Sequence, residues 1–272
     1  MTYTGIITDL DESTYHAHPA LSSTQARLLL DSPARYHYAQ THERAPKAAW
    51  DLGTAVHTKV LGTGARAIAY PPEHLTPSGN VSTKAATVEW AEEQRAQGLT
   101  PISPEQMGAV DAMAEAVLAD AGELFEGGYA EASLFATDPE TGVGLRARFD
   151  YFAPKAVDLK TTGKLATKAR WPWTVYEFGY DVQQEHYRHV RSLIEGDPGG
   201  FVFVAVETTP PYLVGKYELD DEYVEIGAGK ALRARRLFAE CTASGVWPRY
   251  SREIQIVQPP MPAIYDFQDN YS

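Results

Sequence analysis

"RFDYFAPKAVDLKTT", residues 148–162, carries two aspartates, Asp150 and Asp158, on either side of a short Pro-containing turn. Alternating apolar and polar residues flank that turn, the pattern of two strands in a hairpin. If Ala153, Pro154 and Lys155 form the turn, Phe152 pairs with Ala156. Asp150 then faces Asp158, and Arg148 faces Lys160. In this register one face is apolar, with Leu145, Ala147, Phe149, Val157 and Leu159. The other holds Arg146, Arg148, Asp150, Asp158 and Lys160. Like charges directly opposed on paired strands destabilise a sheet. A divalent cation between the two carboxylates would cancel that repulsion, since Mg²⁺ takes hard oxygen ligands from one or two carboxylates, phosphate and water. Lys160 lies on the same face, within reach of a metal-bound water or a phosphate oxygen. The competing reading is diagonal ion pairing, Asp150 with Lys160 and Arg148 with Asp158, at about 0–1 kcal/mol each. The two readings differ in sign for the metal-free protein. Asp158→Asn should leave it as stable or slightly more stable if the aspartates repel, and less stable if they are ion-paired.

The surroundings of the hairpin are unusual for this chain. Residues 144–170 hold seven cations (Arg146, Arg148, Lys155, Lys160, Lys164, Lys168 and Arg170) against Asp150 and Asp158, a local +5. The 272-residue chain as a whole carries −12. That overall charge argues against a protein that coats nucleic acid, and the local reversal marks where a polyanion could be met. The 44% apolar content supports a sizeable core in a single domain. Cys241 is the only cysteine, which excludes an intrachain disulfide, a cysteine-rich zinc site and a four-cysteine iron–sulfur cluster. The N-terminal stretch "MTYTGIITDLDE" has no basic, apolar leader, and no run approaches a membrane span of about 18 residues. A cytoplasmic location is the expectation.

Periodicity divides the chain. "LSSTQARLLLDSPARYHYAQ" starts on capping residues and runs helical until Pro33 interrupts it. "KAAWDLGTAVHTKVLG" reads as a second helix ended by Gly62. Residues 84–97 and 104–120 read as two more, and 76–83 as a mobile segment. The period then becomes two in "EASLFAT", "GLRARFDYF", "KAVDLKTT" and "FVFVAVETT". "VYEFGYDVQQEHYRHVRSLIEG" reads as one long helix, "DDEYVEIGAGKALRARRLFAECTASG" as a final one, and the tail "IQIVQPPMPAIYDFQDNYS" as irregular structure docked on the body. The expected fold is α/β (α+β), a central mixed sheet flanked by helices. It forms one domain, with a mainly helical part at 1–120, a sheet-containing core at 121–255 and a tail at 256–272.

Asp150 followed by Asp158-Leu159-Lys160 resembles the PD-(D/E)XK nuclease signature, with Phe149 where Pro is often found. "GTAVH", with Gly53 and His57, resembles the GxxxH motif of the RecB-like branch, and "QQEHY", with Gln183 and Tyr187, its QxxxY motif. Glu131 precedes a strand where relatives carry an upstream acid, with Glu123 and Glu126 as alternatives. The order of these motifs over residues 15–255 is similar to phage-type exonuclease VIII (RecE-like) proteins. The resemblance implies Mg²⁺, with Mn²⁺ as substitute, held by His57, Glu131, Asp150, Asp158 and the Leu159 carbonyl. It implies phosphodiester hydrolysis, with Lys160 orienting water or stabilising charge. Gln183 and Tyr187 would position the strand. The basic residues Arg146, Arg148, Lys164, Lys168 and Arg170 would supply phosphate contacts. It further implies attack on linear double-stranded DNA from 5′ ends, a 3′ single strand left for an annealing protein in recombination, and a ring-like homo-oligomer. An endonuclease on the same fold, or a DNA-binding protein without turnover, are the alternatives.

Overall fold

The computed structural model describes residues 3–42 and 48–271. In chain order the first part holds β1 (Gly5–Ile7), α1 (Glu12–Ala17), α2 (Ser23–Asp31), α3 (Pro33–Ala39), α4 (Ala48–Leu61), β2 (Arg66–Ala69), α5 (Ala85–Ala96), β3 (Leu99–Ile102) and α6 (Pro104–Ala121). The second holds β4 (Tyr129–Thr137), β5 (Gly144–Phe152), β6 (Lys155–Thr162), α7 (Trp171–Phe178), α8 (Tyr180–Glu195), β7 (Gly200–Glu207), β8 (Val214–Tyr217), α9 (Asp221–Ser244) and α10 (Met261–Tyr271). The main sheet runs β1-β4-β5-β6-β7-β8, and β2 and β3 form a separate parallel pair. Only β6 and β7 run parallel within the main sheet, so the sheet is mixed, as expected.

Both faces of the sheet are covered. The run "FVFVAV" of β7 sends Phe201, Phe203 and Ala205 into a core with α8 and α9 residues such as Val182, Val190 and Ala234. Val202, Val204 and Val206 enter a second core with Val56 of α4 and Met113 and Val117 of α6. A continuous apolar run is what a strand buried on both sides requires.

Local signals place the helices. Ser22 and Ser103 form capping boxes with Gln25 and Gln106 at the starts of α2 and α6. Ser32 ends α2 and caps α3, whose first residue is Pro33. Gly62, at φ +70°, closes α4 as the sequence suggests; Lys47 of that stretch lies outside the described residues.

The structure corrects several expectations. The long helix is two helices, α7 and α8, broken at Gly179 with φ +64°. A side chain there would meet Arg27 Cδ at 2.9 Å, so the turn needs glycine for conformation and for space. β1, β2, β3 and β8 were not legible as strands: each has only three or four residues, too few to establish a period. The 76–83 segment is knitted by Thr76 N–H to the Asn80 carbonyl (2.7 Å) and Ser82 N–H to the His74 carbonyl (2.8 Å). The tail is not docked irregular structure. Ile254, Ile256 and Val257 are 85–99% exposed, and α10 has no buried residue.

Candidate active site

The hairpin pairs at Tyr151 with Val157, the register in which Asp150 stands across from Asp158. No further pair follows. Instead Asp150 Oδ2 accepts the Leu159 backbone N–H at 2.7 Å, so a side chain replaces a ladder bond. The neighbouring ladder breaks at the same place. Ala130 pairs with Tyr151 and Ala132 with Phe149, while Glu131 and Asp150 between them do not pair. Glu131 has φ +54°, a strained conformation for a non-glycine residue. Alternation breaks with it: Ala132 and Phe149 enter the α8–α9 core, whereas Ala130 and Tyr151 pack with the α4–α6 core. The two acids therefore sit where the strands twist out of register with their own pleat.

α4 closes over this break. A Cβ on Gly53 would lie 3.2 Å from Thr161 Oγ1, so the helix rests close on β6 at a residue with no side chain. One turn later, His57 Nδ1 stands 3.5 Å from Asp150 Oδ2. His57, Glu131 and Asp150 each offer one ligand atom, all within 4.8 Å of one another. Glu123 instead approaches Lys216 and Glu126 is exposed, so Glu131 is the acid that joins the group.

Asp158 has a different environment. It is 2% exposed, and its Oδ1 accepts from Gln183 Nε2 at 2.6 Å. Its Oδ2 pairs with the Lys160 ammonium, which sits 4.8 Å from the ring centroid of Tyr180. Lys160 thus pairs with its own strand neighbour, and Arg148 pairs with Glu131 (2.6 Å). Neither diagonal ion pair forms.

Burial, and then the charge of Asp158, push the Asp150 carboxyl well above the usual range. Burial also raises Glu131 against the pull of Arg148. His57 is lowered to about 4 by burial and then by the Lys160 charge, so its imidazole is neutral at pH 7. Burial alone would lower Lys160; Asp158, Tyr180 and Asp150 outweigh it and hold the ammonium above its ordinary value. A neutral imidazole beside two half-buried carboxylates that resist ionising is a donor set suited to a divalent cation.

A family profile, the PDDEXK-like domain of unknown function (DUF3799), matches residues 22–260. The chain belongs to this family. The crystal structure of a Eubacterium rectale protein named "putative exonuclease" is similar to this PDDEXK-like chain, with a TM-score of 0.63 at 11% identity. The match covers 94% of this chain and 98% of that one, and shows a shared fold. No curated protein sequence matches.

Other predicted site residues of the PDDEXK-like chain divide into two groups. Arg146, Arg148 and Tyr187 line an open cleft of about 1480 Å³ with His57, Glu131 and Asp150. Lys164, Lys168 and Arg170 do not line it; Lys164 pairs with Glu177, and the other two are exposed on the approach to α7. The single charged face expected for the hairpin is not formed. Arg146 donates to the Tyr15 and His16 carbonyls and Arg148 to the Leu10 carbonyl, under α1 and the segment before it. Asp158 and Lys160 turn instead towards α8. Gln183 is committed to Asp158, which makes it a support for that carboxylate. Sequence reading missed Tyr180. Its signal was present: Tyr180, Gln183 and Tyr187 stand at i, i+3 and i+7, one stripe of α8.

Proposed function

We propose that this PDDEXK-like protein is a metal-dependent nuclease that degrades linear double-stranded DNA from its ends. The observation that carries the reading is the convergence of His57, Glu131 and Asp150 beside the Asp158–Lys160 pair, at the site of a strained strand break. The resemblance to exonuclease VIII in motif order and the name of the Eubacterium rectale neighbour support the exonuclease form. Polarity from 5′ ends, a 3′ single strand left for an annealing partner, and a ring-like oligomer rest on the RecE-like motif order.

His57, Glu131 and Asp150 would hold Mg²⁺ or Mn²⁺, with Asp158 and the Leu159 carbonyl as further candidate ligands. Such a cation lowers the pKa of a bound water and polarises a phosphate oxygen. The chain's own residues do the rest. The Leu159 N–H fixes the rotamer of Asp150. Gln183 fixes Asp158, and Asp158 with Tyr180 fixes Lys160. Because Lys160 stays protonated, it acts through charge on the phosphate in the transition state.

Incubation with linear and covalently closed DNA, with and without Mg²⁺, tests this. Linear duplex should disappear from its ends only with metal, while closed circles survive. Cutting of both at similar rates would favour an endonuclease. Cutting of neither, in Mg²⁺ or Mn²⁺, would favour a binding protein without turnover.

A further inference from the structure

We propose that the groove between α3 and the segment after α9 is a stacking platform for the bases of a single-stranded nucleic-acid segment that runs on from the active cleft. The proposal rests on the nuclease reading for its substrate class.

The groove encloses about 550 Å³ and is lined by Ala34, Arg35, His37, Tyr38, Thr41, Trp247 and Arg249. Among the described residues no acidic side chain lines it, in a chain of net charge −12. Its aromatic wall is fixed. Trp247 stacks on His37 (5.1 Å between centroids, 20° between planes) and on Tyr36 (5.3 Å, 30°). Ala34 N–H donates to the Pro248 carbonyl at 3.2 Å, which pins the segment to α3. Tyr38 is 61% exposed, with His42 stacked against one face of its ring (3.6 Å between centroids, 11° between planes), and the Arg35 guanidinium lies 5.7 Å from the ring centroid of exposed Tyr250. Arg35 is engaged by Asp31 (2.6 Å); among the described residues no ion pair engages Arg249. Thr41 lines both this groove and the active cleft, so the two adjoin at that residue.

These features select the ligand. A ring such as Tyr38, held by His42 on one face and exposed on the other, accepts any base by stacking, and arginine supplies phosphate and cation–π contacts without sequence readout. An acidic peptide would satisfy Arg249 but leave the ring faces without a π partner. Unpaired bases are needed, because a duplex hides their faces in its own stack.

The test measures anisotropy of fluorescein-labelled oligo(dT) with the full chain in EDTA, so that nothing is cleaved. Tyr38→Ala should weaken binding about tenfold, within the range for loss of one base–aromatic stack. Arg249→Ala should lower the slope of log affinity against log salt by about 0.7, one single-strand phosphate contact. Both positions are exposed, so melting temperatures should not move. Unchanged affinity and slope in both variants would overturn the platform. So would a poly-glutamate peptide that binds through Tyr38 and Arg249 while oligo(dT) does not. Cleavage is scored separately in Mg²⁺. A wild type that cuts no DNA but binds oligo(dT) through Tyr38 would sink the nuclease reading and leave the platform standing.

Discussion

Asp150 and Asp158 are opposed in the hairpin, yet their environments differ. Asp158 is neutralised by Lys160 and held by Gln183. Asp150 has a backbone N–H and a neutral imidazole beside it, and its carboxyl is raised by burial and by Asp158. The repulsion expected from the sequence therefore rests on Asp150 alone. In EDTA at neutral pH, Asp158→Asn should melt lower, by about 3 kcal/mol, because it leaves a largely buried ammonium without its partner carboxylate. Relief of repulsion at Asp158 is not expected, which reverses the sign drawn from the sequence. Asp150→Asn should melt higher, by about 1 kcal/mol, since the amide oxygen can still accept from Leu159. Both should abolish cleavage. The sign for Asp150 follows from linkage: a carboxyl raised on folding stabilises most below its unfolded pKa and loses that as pH rises through its folded one. Thermal melts of the two variants in EDTA decide the matter, and equal shifts of the same sign would refute the assignment.

At the scale of elements, α4 and β6 meet at Gly53 and Thr161, and that contact sets the height of His57 above Asp150. Gly53→Ala adds helix propensity of up to about 1 kcal/mol but forces Cβ to 3.2 Å from Thr161 Oγ1. Stability should change little. Cleavage should fall about tenfold, because small displacements of a positioned group are costly in rate. Removing the obstructing hydroxyl should restore it, so Gly53→Ala/Thr161→Ala is expected to cleave faster than Gly53→Ala alone. Steady-state rates on linear duplex check this; a double variant no better than the single one would place the role of Gly53 elsewhere.

At the scale of the whole molecule, two histidines are held neutral, one half-buried at the active cleft and one in the core. His57 comes from α4. His186, from α8, is fully buried with Nε2 at 3.0 Å from the Arg146 carbonyl oxygen. Burial lowers both to about 4 from an ordinary 6.5. A group depressed on folding in this way favours the native state above pH 6.5, and that contribution is lost as pH falls towards 4, by up to about 1.4 kcal/mol per pH unit for each histidine. Asp150 and Glu131, raised on folding, pull the other way. Urea midpoints of metal-free wild type and His186→Gln across pH 4–7 isolate the His186 share. The wild type should lose more stability than the variant over that window, and parallel curves would contradict a neutral buried His186. Among the described residues, no helix is long and apolar enough to cross a membrane.

The sequence by itself determined the elements long enough to show a period: α2, α6, α9 and the strands β4 to β7. The hairpin register followed only if Ala153, Pro154 and Lys155 made the turn, and the observed pair Tyr151–Val157 has that register. Asp150, Asp158 and Lys160 were legible as one charged face of the hairpin; Gly53, His57 and Glu131 were reached through the resemblance to RecB-like nucleases, and the structure brings His57, Glu131 and Asp150 together. Tertiary structure alone decided the rest. The break at Glu131 and Asp150 depends on β4, β5 and α4 packing together, and no local pattern encodes it. The pairing of Lys160 with Asp158, and of Arg148 with Glu131, depends on which helix covers each stretch of sheet. The reason is one of range. Periodicity and capping act over a few residues, whereas the electrostatics of a buried carboxylate depend on partners brought from far along the chain, here Gln183 and His57.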